Sequence, residues 1–227
     1  MRTLFFILLL NYSNIVSCQN SNSGLMKEAE EKLRNNKANI SAILADKKYD
    51  ALHPETSFRE LIKKYAKAEI LSIATDSIPG KKIKVIGWIK NTDGKPIANA
   101  LIYLYHTDSR GWYAADAPHV SMNEGDMHHA RLFGYVKTDK EGKFELHTIK
   151  PSGYPRSDLP AHIHVHVEAD GYQQYITEFL FDDDTRLVGR IRENAIRDKF
   201  FIAKPEKATL PFEQQFNYTI ALQKKLK

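Results

Sequence analysis

Cysteine is almost absent from this chain: 227 residues contain one, Cys18. A lone thiol excludes an intrachain disulfide framework, a Cys-rich zinc site and a cysteine-ligated iron–sulfur cluster. Any metal must then be held by His, Tyr or carboxylate. Long hydrophobic runs are missing too, since the apolar stretch Leu4–Leu10 falls far short of the ~20 residues that span a bilayer. Neither charge sign dominates, with 33 Lys and Arg against 28 Asp and Glu. Ten of the basic residues and only four acidic ones fall from Arg186 to Lys227, so the basic surplus belongs to the C-terminal end. That stretch lacks the aromatic interleaving of a single-strand binding surface, and no nucleic-acid partner is expected. What is present is 42% hydrophobic, 11% aromatic and 27% charged residues, a composition able to bury a sizeable core and one that excludes disorder. The length suits one full-sized domain with an appendage.

Arg2 followed by the short apolar run has the form of a secretory signal, so the chain is expected to be exported. Ile15-Val16-Ser17-Cys18 resembles a bacterial lipobox, which would make Cys18 the lipidated first residue of the mature protein. An ordinary cleavable signal with an incidental Cys is the alternative. The expected organisation is a signal with lipobox over 1–18, a tether and helical segment over 19–76, and a β-domain over 77–223. Leu25, Ala29 and Leu33 recur every four residues and predict an amphipathic helix with a break near Asn35-Asn36. Ser57 with Glu60 three residues on predicts the start of a second helix, with Phe58, Leu61, Ile62 and Tyr65 along one face.

After Pro79-Gly80 the periodicity changes to two. Strands are expected at 82–89, 100–105, 132–138, 144–148, 162–169, 174–181 and 217–222. Asp93-Gly94, Asp139-Lys140-Glu141-Gly142 and Asp170-Gly171 supply the turns, the first of them of hairpin type. Seven short strands without intervening helices predict a mainly β fold, an antiparallel β-sandwich behind a short helical segment. In His162-Ile163-His164-Val165-His166 alternation puts the three His on one face and the aliphatic residues on the other. His162 and His166 start roughly 13 Å apart at ~3.3 Å per residue, so an ion would take two neighbouring His of the three. Imidazole alone suits Zn, Cu, Fe or Ni.

A longer run carries more information. Tyr154 lies in Thr148-Ile149-Lys150-Pro151-Ser152-Gly153-Tyr154-Pro155, followed by Leu159-Pro160-Ala161-His162-Ile163-His164. Upstream stand Gly87, Asp93-Gly94-Lys95-Pro96-Ile97, Ala100 and Gly111-Trp112-Tyr113, and further on Gly134–Asp139, Gly142-Lys143-Phe144 and Thr177–Phe181. In order and residue type, from about Ile78 to Asp183, this set resembles the intradiol ring-cleavage dioxygenases. The resemblance implies a prealbumin-like sandwich and a mononuclear Fe(III) held by two tyrosinates and two histidines, here Tyr113, Tyr154, His162 and His164. Two phenolates are hard anionic donors suited to Fe(III), and the ferric charge in turn keeps each Tyr ionised below its ordinary pKa of ~10. Zinc or copper would have no need of them. It also implies O2-dependent opening of a catecholic ring between its hydroxylated carbons to a muconate-type diacid, Tyr154 yielding its place to substrate and accepting a proton.

Two positions depart from the family pattern. Leu159 stands where Arg commonly precedes Pro-Ala-His, and Glu178 where Gln is frequent. Arg156, three residues before Leu159, is the candidate to supply the missing cation and is assigned with Tyr154 to the catalytic set. The two departures keep open a different class, a non-catalytic prealbumin-like lipoprotein that binds a ligand or polymer. His166 is expected to cap its strand or stand behind the metal. The segment Ala114–Arg131, with Asp116, His119, His128 and His129, is long enough to cover a pocket. Trp112 is either a ring-stacking or a core aromatic. His106 and His147 receive no role, and Tyr103, Tyr105 and Tyr135 read as sandwich residues.

Overall fold

The computed structural model describes residues 22–114 and 130–225. The expected signal, Cys18, Asp116, His119, His128 and His129 lie outside the described residues. A first helix, α1, covers 22–34 and ends at Asn36 in the left-handed conformation (φ 52°), where a short polar side chain is tolerated. A short helix α2 (Ile40–Ala45) and a 3-10 turn (Lys47–Leu52) lead to α3 (Thr56–Lys64). The expected start of α3 at a Ser57–Glu60 box is corrected. Glu55 occupies the cap without a side-chain hydrogen bond, and Ser57 already lies inside the helix. The chain enters extended through Glu55, so the helix begins before the box can form. Phe58, Leu61 and Ile62 are buried as the spacing requires, and the helix packs against the strand at Leu132–Lys137.

Among the described residues, ten strands form two five-stranded sheets. One has the order β1 (Ile70–Ser72), β5 (Lys143–Ile149), β2 (Lys82–Asn91), β10 (Gln214–Leu222) and β9 (Glu206–Lys207). The other runs β4 (Leu132–Lys137), β3 (Leu101–His106), β6 (His162–Glu168), β7 (Tyr175–Phe181) and β8 (Phe201–Ala203). Between them lies a core that includes Val85, Leu104, Leu146, Val165, Phe179 and Phe216, all fully buried, each such side chain contributing about 1.5–3 kcal/mol. Ala29, Leu33, Phe58 and Ile62 belong to the same cluster.

The sheets are mixed, which corrects the all-antiparallel expectation: β1 with β5, β2 with β10, and β7 with β8 run parallel. Parallel neighbours cannot be joined by a tight turn and need a crossover. Between β7 and β8 that crossover is a helix unforeseen in the sequence, α4 (Gly189–Arg197). A second correction concerns Asp93-Gly94. The turn forms, with Gly94 at φ 78° and the Asn91 side chain accepting from the N–H groups of Asp93 and Lys95. It is not a hairpin, because β2 and β3 belong to different sheets. The chain closes only as far as the Lys90–Pro96 bridge and then crosses over. Of the three expected turns, only Asp170-Gly171 joins neighbouring antiparallel strands, β6 and β7.

Candidate metal centre

β6 is central in its sheet, paired to β3 on one side and β7 on the other. Ile163, Val165 and Val167 point into the core and are fully buried. Alternation therefore sends His162, His164 and His166 to the outer face, where they meet Tyr103 and Tyr105 of β3 and Glu178 of β7 in register. The tyrosines expected among the sandwich residues thus back the histidine stripe. Tyr105 stacks on His164 with centroids 4.4 Å apart and planes 10° from parallel. His166 stands edge-on to Tyr103 at 5.5 Å.

Tyr113 and Tyr154 approach the histidines from two loops that brace each other. Gly111 adopts φ 81° and packs so tightly that a Cβ there would sit 2.3 Å from the Gly153 carbonyl oxygen. Ser152 donates its backbone N–H to Asp108 (3.1 Å), and the Thr107 hydroxyl donates to the Ser152 carbonyl (2.6 Å). Behind them His106 is fully buried. Its Nδ1–H donates to the Thr107 carbonyl (2.6 Å) and its Nε2 accepts from the Thr148 hydroxyl (2.7 Å). Burial pushes the His106 pKa down to about 4, so the ring is neutral at pH 7 and serves as a structural strut.

The four tips meet. Tyr113 Oη lies 2.7 Å from Tyr154 Oη and 2.9 Å from His164 Nε2. Tyr154 Oη lies 3.2 Å from His162 Nε2, which is 3.1 Å from His164 Nε2. Four donor atoms therefore close a ring of near-equal edges. Neighbouring ligands at right angles around an ion with bonds of about 2.0–2.2 Å are separated by ~2.8–3.1 Å, the same spacing. His162 is also set in the tautomer a metal requires. Its Nδ1 lies 2.8 Å from the Pro160 carbonyl, which can only accept, so Nδ1 carries the proton and Nε2 presents its lone pair. His162, His164 and Glu178 each offer a ligand atom within 4.8 Å of one another, with Glu178 Oε1 3.7 Å from His164 Nδ1.

With the ring of donors in view, relatives can be weighed. The Dioxygenase_C family model, described as dioxygenase, matches residues 57–224. The chain belongs to the intradiol dioxygenase family. It is 31% identical over 126 residues to a chlorocatechol 1,2-dioxygenase of Rhodococcus opacus, covering 48% of this chain and 47% of that one. To catechol 1,2-dioxygenase 1 of Acinetobacter lwoffii it is 30% identical over 114 residues, 43% of this chain and 35% of that one. This dioxygenase-family chain thus spans less than half the length of either relative. Its fold is similar to the solved catechol 1,2-dioxygenase of Pseudomonas arvilla C-1, with TM-score 0.56, 21% identity, and 71% and 58% of the two chains covered. It is likewise similar to the dioxygenase domain of a carbohydrate-binding fusion from Streptomyces sp. SirexAA-E, with TM-score 0.53, 24% identity, and 70% and 90% covered.

The other expected site residues of this dioxygenase-family chain are dispersed. Arg156 is exposed on the turn after Tyr154, at φ 60°. Leu159 is 50% exposed. Trp112 is half-buried beneath the Arg110 guanidinium, 4.0 Å from its ring centroid. His147, for which no role is expected, pairs with Glu145 at 2.7 Å. Sequence reasoning missed Asp184 and Arg186, just beyond β7. Asp184 accepts the Ala161 N–H at 2.7 Å, and Arg186 Nη1 donates to the carbonyls of Tyr154 (3.2 Å) and Leu159 (3.3 Å). Together they clamp both ends of the loop between Tyr154 and His162. The only trace in sequence is a run of three aspartates ending in Thr-Arg, which composition alone reads as a solvated turn.

Proposed function

We propose that this protein is a non-haem Fe(III) dioxygenase that opens catecholic rings between the two hydroxylated carbons, yielding a muconate-type diacid. The closed ring of donor atoms formed by Tyr113, Tyr154, His162 and His164 carries the reading. Two phenolates with two imidazoles fit a hard trivalent ion. Iron bound there would supply Lewis-acid polarisation of a chelated catecholate toward O2. The protein's own contribution is division of labour among the four. Tyr113 and His162 are buried, and His162 is locked through Nδ1, so these groups suit permanent ligation. Tyr154 is more exposed and sits on a loop, which suits it to yield its place to substrate while Tyr154 Oη takes up a catechol proton. Arg156 is proposed to meet the substrate from the same loop. The proposed location is outside the cytoplasm, on a lipid anchor at Cys18, which a Cys18→Ser variant lacking incorporated fatty acid would test.

The deciding experiment measures iron content and visible absorption before and after catechol is added without oxygen. One Fe(III) per chain, with a tyrosinate charge-transfer band that shifts on addition, is expected; admitting O2 should then give the ring-opened diacid. His162→Ala and His164→Ala should each lose iron by at least tenfold in affinity, and Tyr154→Phe should change the band. A colourless protein that takes up no Fe(III) would replace this reading with that of a non-catalytic binding module.

A further inference from the structure

The last helix before the sandwich, α3, carries a buried arginine that lies outside the donor ring yet is tied to both sides of it. Arg59 of α3 is 4% exposed. Its guanidinium lies 3.9 Å over the Phe133 ring and reaches three acceptors among the described residues. Nε donates to the His53 carbonyl (3.0 Å), Nη1 to Tyr103 Oη (2.8 Å) and Nη2 to the Ala130 carbonyl (2.7 Å). His53 is equally buried and stacks on Phe58 with centroids 5.6 Å apart. Its Nδ1–H donates to the Arg131 carbonyl at 3.1 Å.

Each contact leads to a ligand. Ala130 and Arg131 are held from below by Arg59 and His53, and the Arg131 N–H donates in turn to the Tyr113 carbonyl at 2.8 Å. That backbone bond fixes where the Tyr113 side chain begins. On the other side Tyr103, oriented by the Arg59 hydrogen bond, stacks on Tyr105 (centroids 5.1 Å), which stacks on His164. One planar guanidinium therefore sets two neighbouring members of the donor ring, the pair whose tips lie 2.9 Å apart. A lysine could not do the same, because an ammonium on a flexible stem lacks the fixed fork that meets three acceptors at once.

We propose that Arg59, with His53, is a positioning residue for the metal centre, so that the N-terminal helical segment is part of the site's support. The proposal rests on the ferric reading above only for its spectroscopic consequence. The backbone consequence can be read without metal.

The test compares the full chain with Arg59→Met, Arg59→Lys and the milder Tyr103→Phe, which keeps the ring stack and deletes only the hydroxyl. In metal-free protein, amide exchange at Arg131 should accelerate at least tenfold in Arg59→Met, while the β6 amides Ile163–Val167 keep wild-type rates. In iron-loaded protein, the tyrosinate band per bound iron should shift or weaken in Arg59→Met, and Arg59→Lys should restore it only in part. Tyr103→Phe should move the band while leaving Arg131 exchange unchanged, since it acts on the His164 side. Wild-type exchange at Arg131 with a wild-type band in Arg59→Met would overturn the proposal. So would exchange that quickens equally in β6, which would mark a general role in stability. A wild-type chain that binds no Fe(III) would defeat the ferric reading, and the exchange result would still judge Arg59 separately.

Discussion

At the scale of single residues, the site depends on side chains that hold backbone carbonyls in place. Thr107 is one: nearly fully buried, it turns its hydroxyl onto the Ser152 carbonyl, two residues before Tyr154. Thr107→Val keeps the shape and removes the donor. An acceptor left unpaired in a partly buried setting costs about 1–3 kcal/mol, so urea unfolding should show a loss in that range. The same variant should also weaken iron retention, and unchanged retention would mean that the Tyr154 loop is held without Thr107. The contrast with the four donors explains what the sequence discloses. Tyr113, Tyr154, His162 and His164 are conspicuous because their side chains are metal donors and their order matches a family. Thr107, Arg59, Asp184 and Arg186 are ordinary surface types in a sequence, and their function lies in which carbonyl or N–H each reaches across the fold.

At the scale of elements, the longer strands declared themselves by alternation or, in β3, by an unbroken apolar and aromatic run, whereas β1, β8 and β9, with two or three residues each, are too short to show a period. Pairing partners are hidden for another reason. A turn such as Asp93-Gly94 fixes the local backbone but does not specify whether the chain returns along its own strand or crosses to the other sheet. α4 carries only three apolar side chains, Ile191, Ala195 and Ile196, of which Ala195 alone is buried, too few to mark a packed helix by composition. Two glycines in the same left-handed conformation separate local from tertiary requirements. Gly94 has open space around its missing Cβ, while at Gly111 the Gly153 carbonyl stands in the way. Gly94→Ala should cost about 1–2 kcal/mol of backbone strain and leave Fe(III) binding unchanged. Gly111→Ala should cost more and drive the Tyr113 and Tyr154 loops apart, lowering iron affinity. Equal denaturation midpoints and equal iron uptake in the two variants would show that the loop contact is not needed.

At the scale of the whole molecule, two of the buried histidines among the described residues, His53 and His106, make stability depend on pH in a window that the carboxylates do not share. Burial holds His53 and His106 neutral, each at about 4 against an ordinary 6.5. The unfolded chain therefore binds more protons than the native one between about pH 4 and 6.5, and stability must fall as pH drops through that range. Each group contributes up to about 1.4 kcal/mol per pH unit, all of it present above 6.5 and gone below about 4. Burial by itself would raise Glu145 and Asp183, but hydrogen bonds and charge from His147 and Lys143 on the first, and from Lys150 with a Gln214 hydrogen bond on the second, together lower them below 4.5 and 3.8. Both release stability only at or beneath those values, so the interval from about 4.5 to 6.5 reports the histidines. Urea unfolding of metal-free protein at several pH values across that interval should show a falling free energy, with close to half the slope removed by His53→Gln. A flat profile in the wild type would mean that both rings take up protons inside the folded protein. The Arg131 carbonyl would then face a charged His53, and the clamp beneath Tyr113 would itself be sensitive to acid.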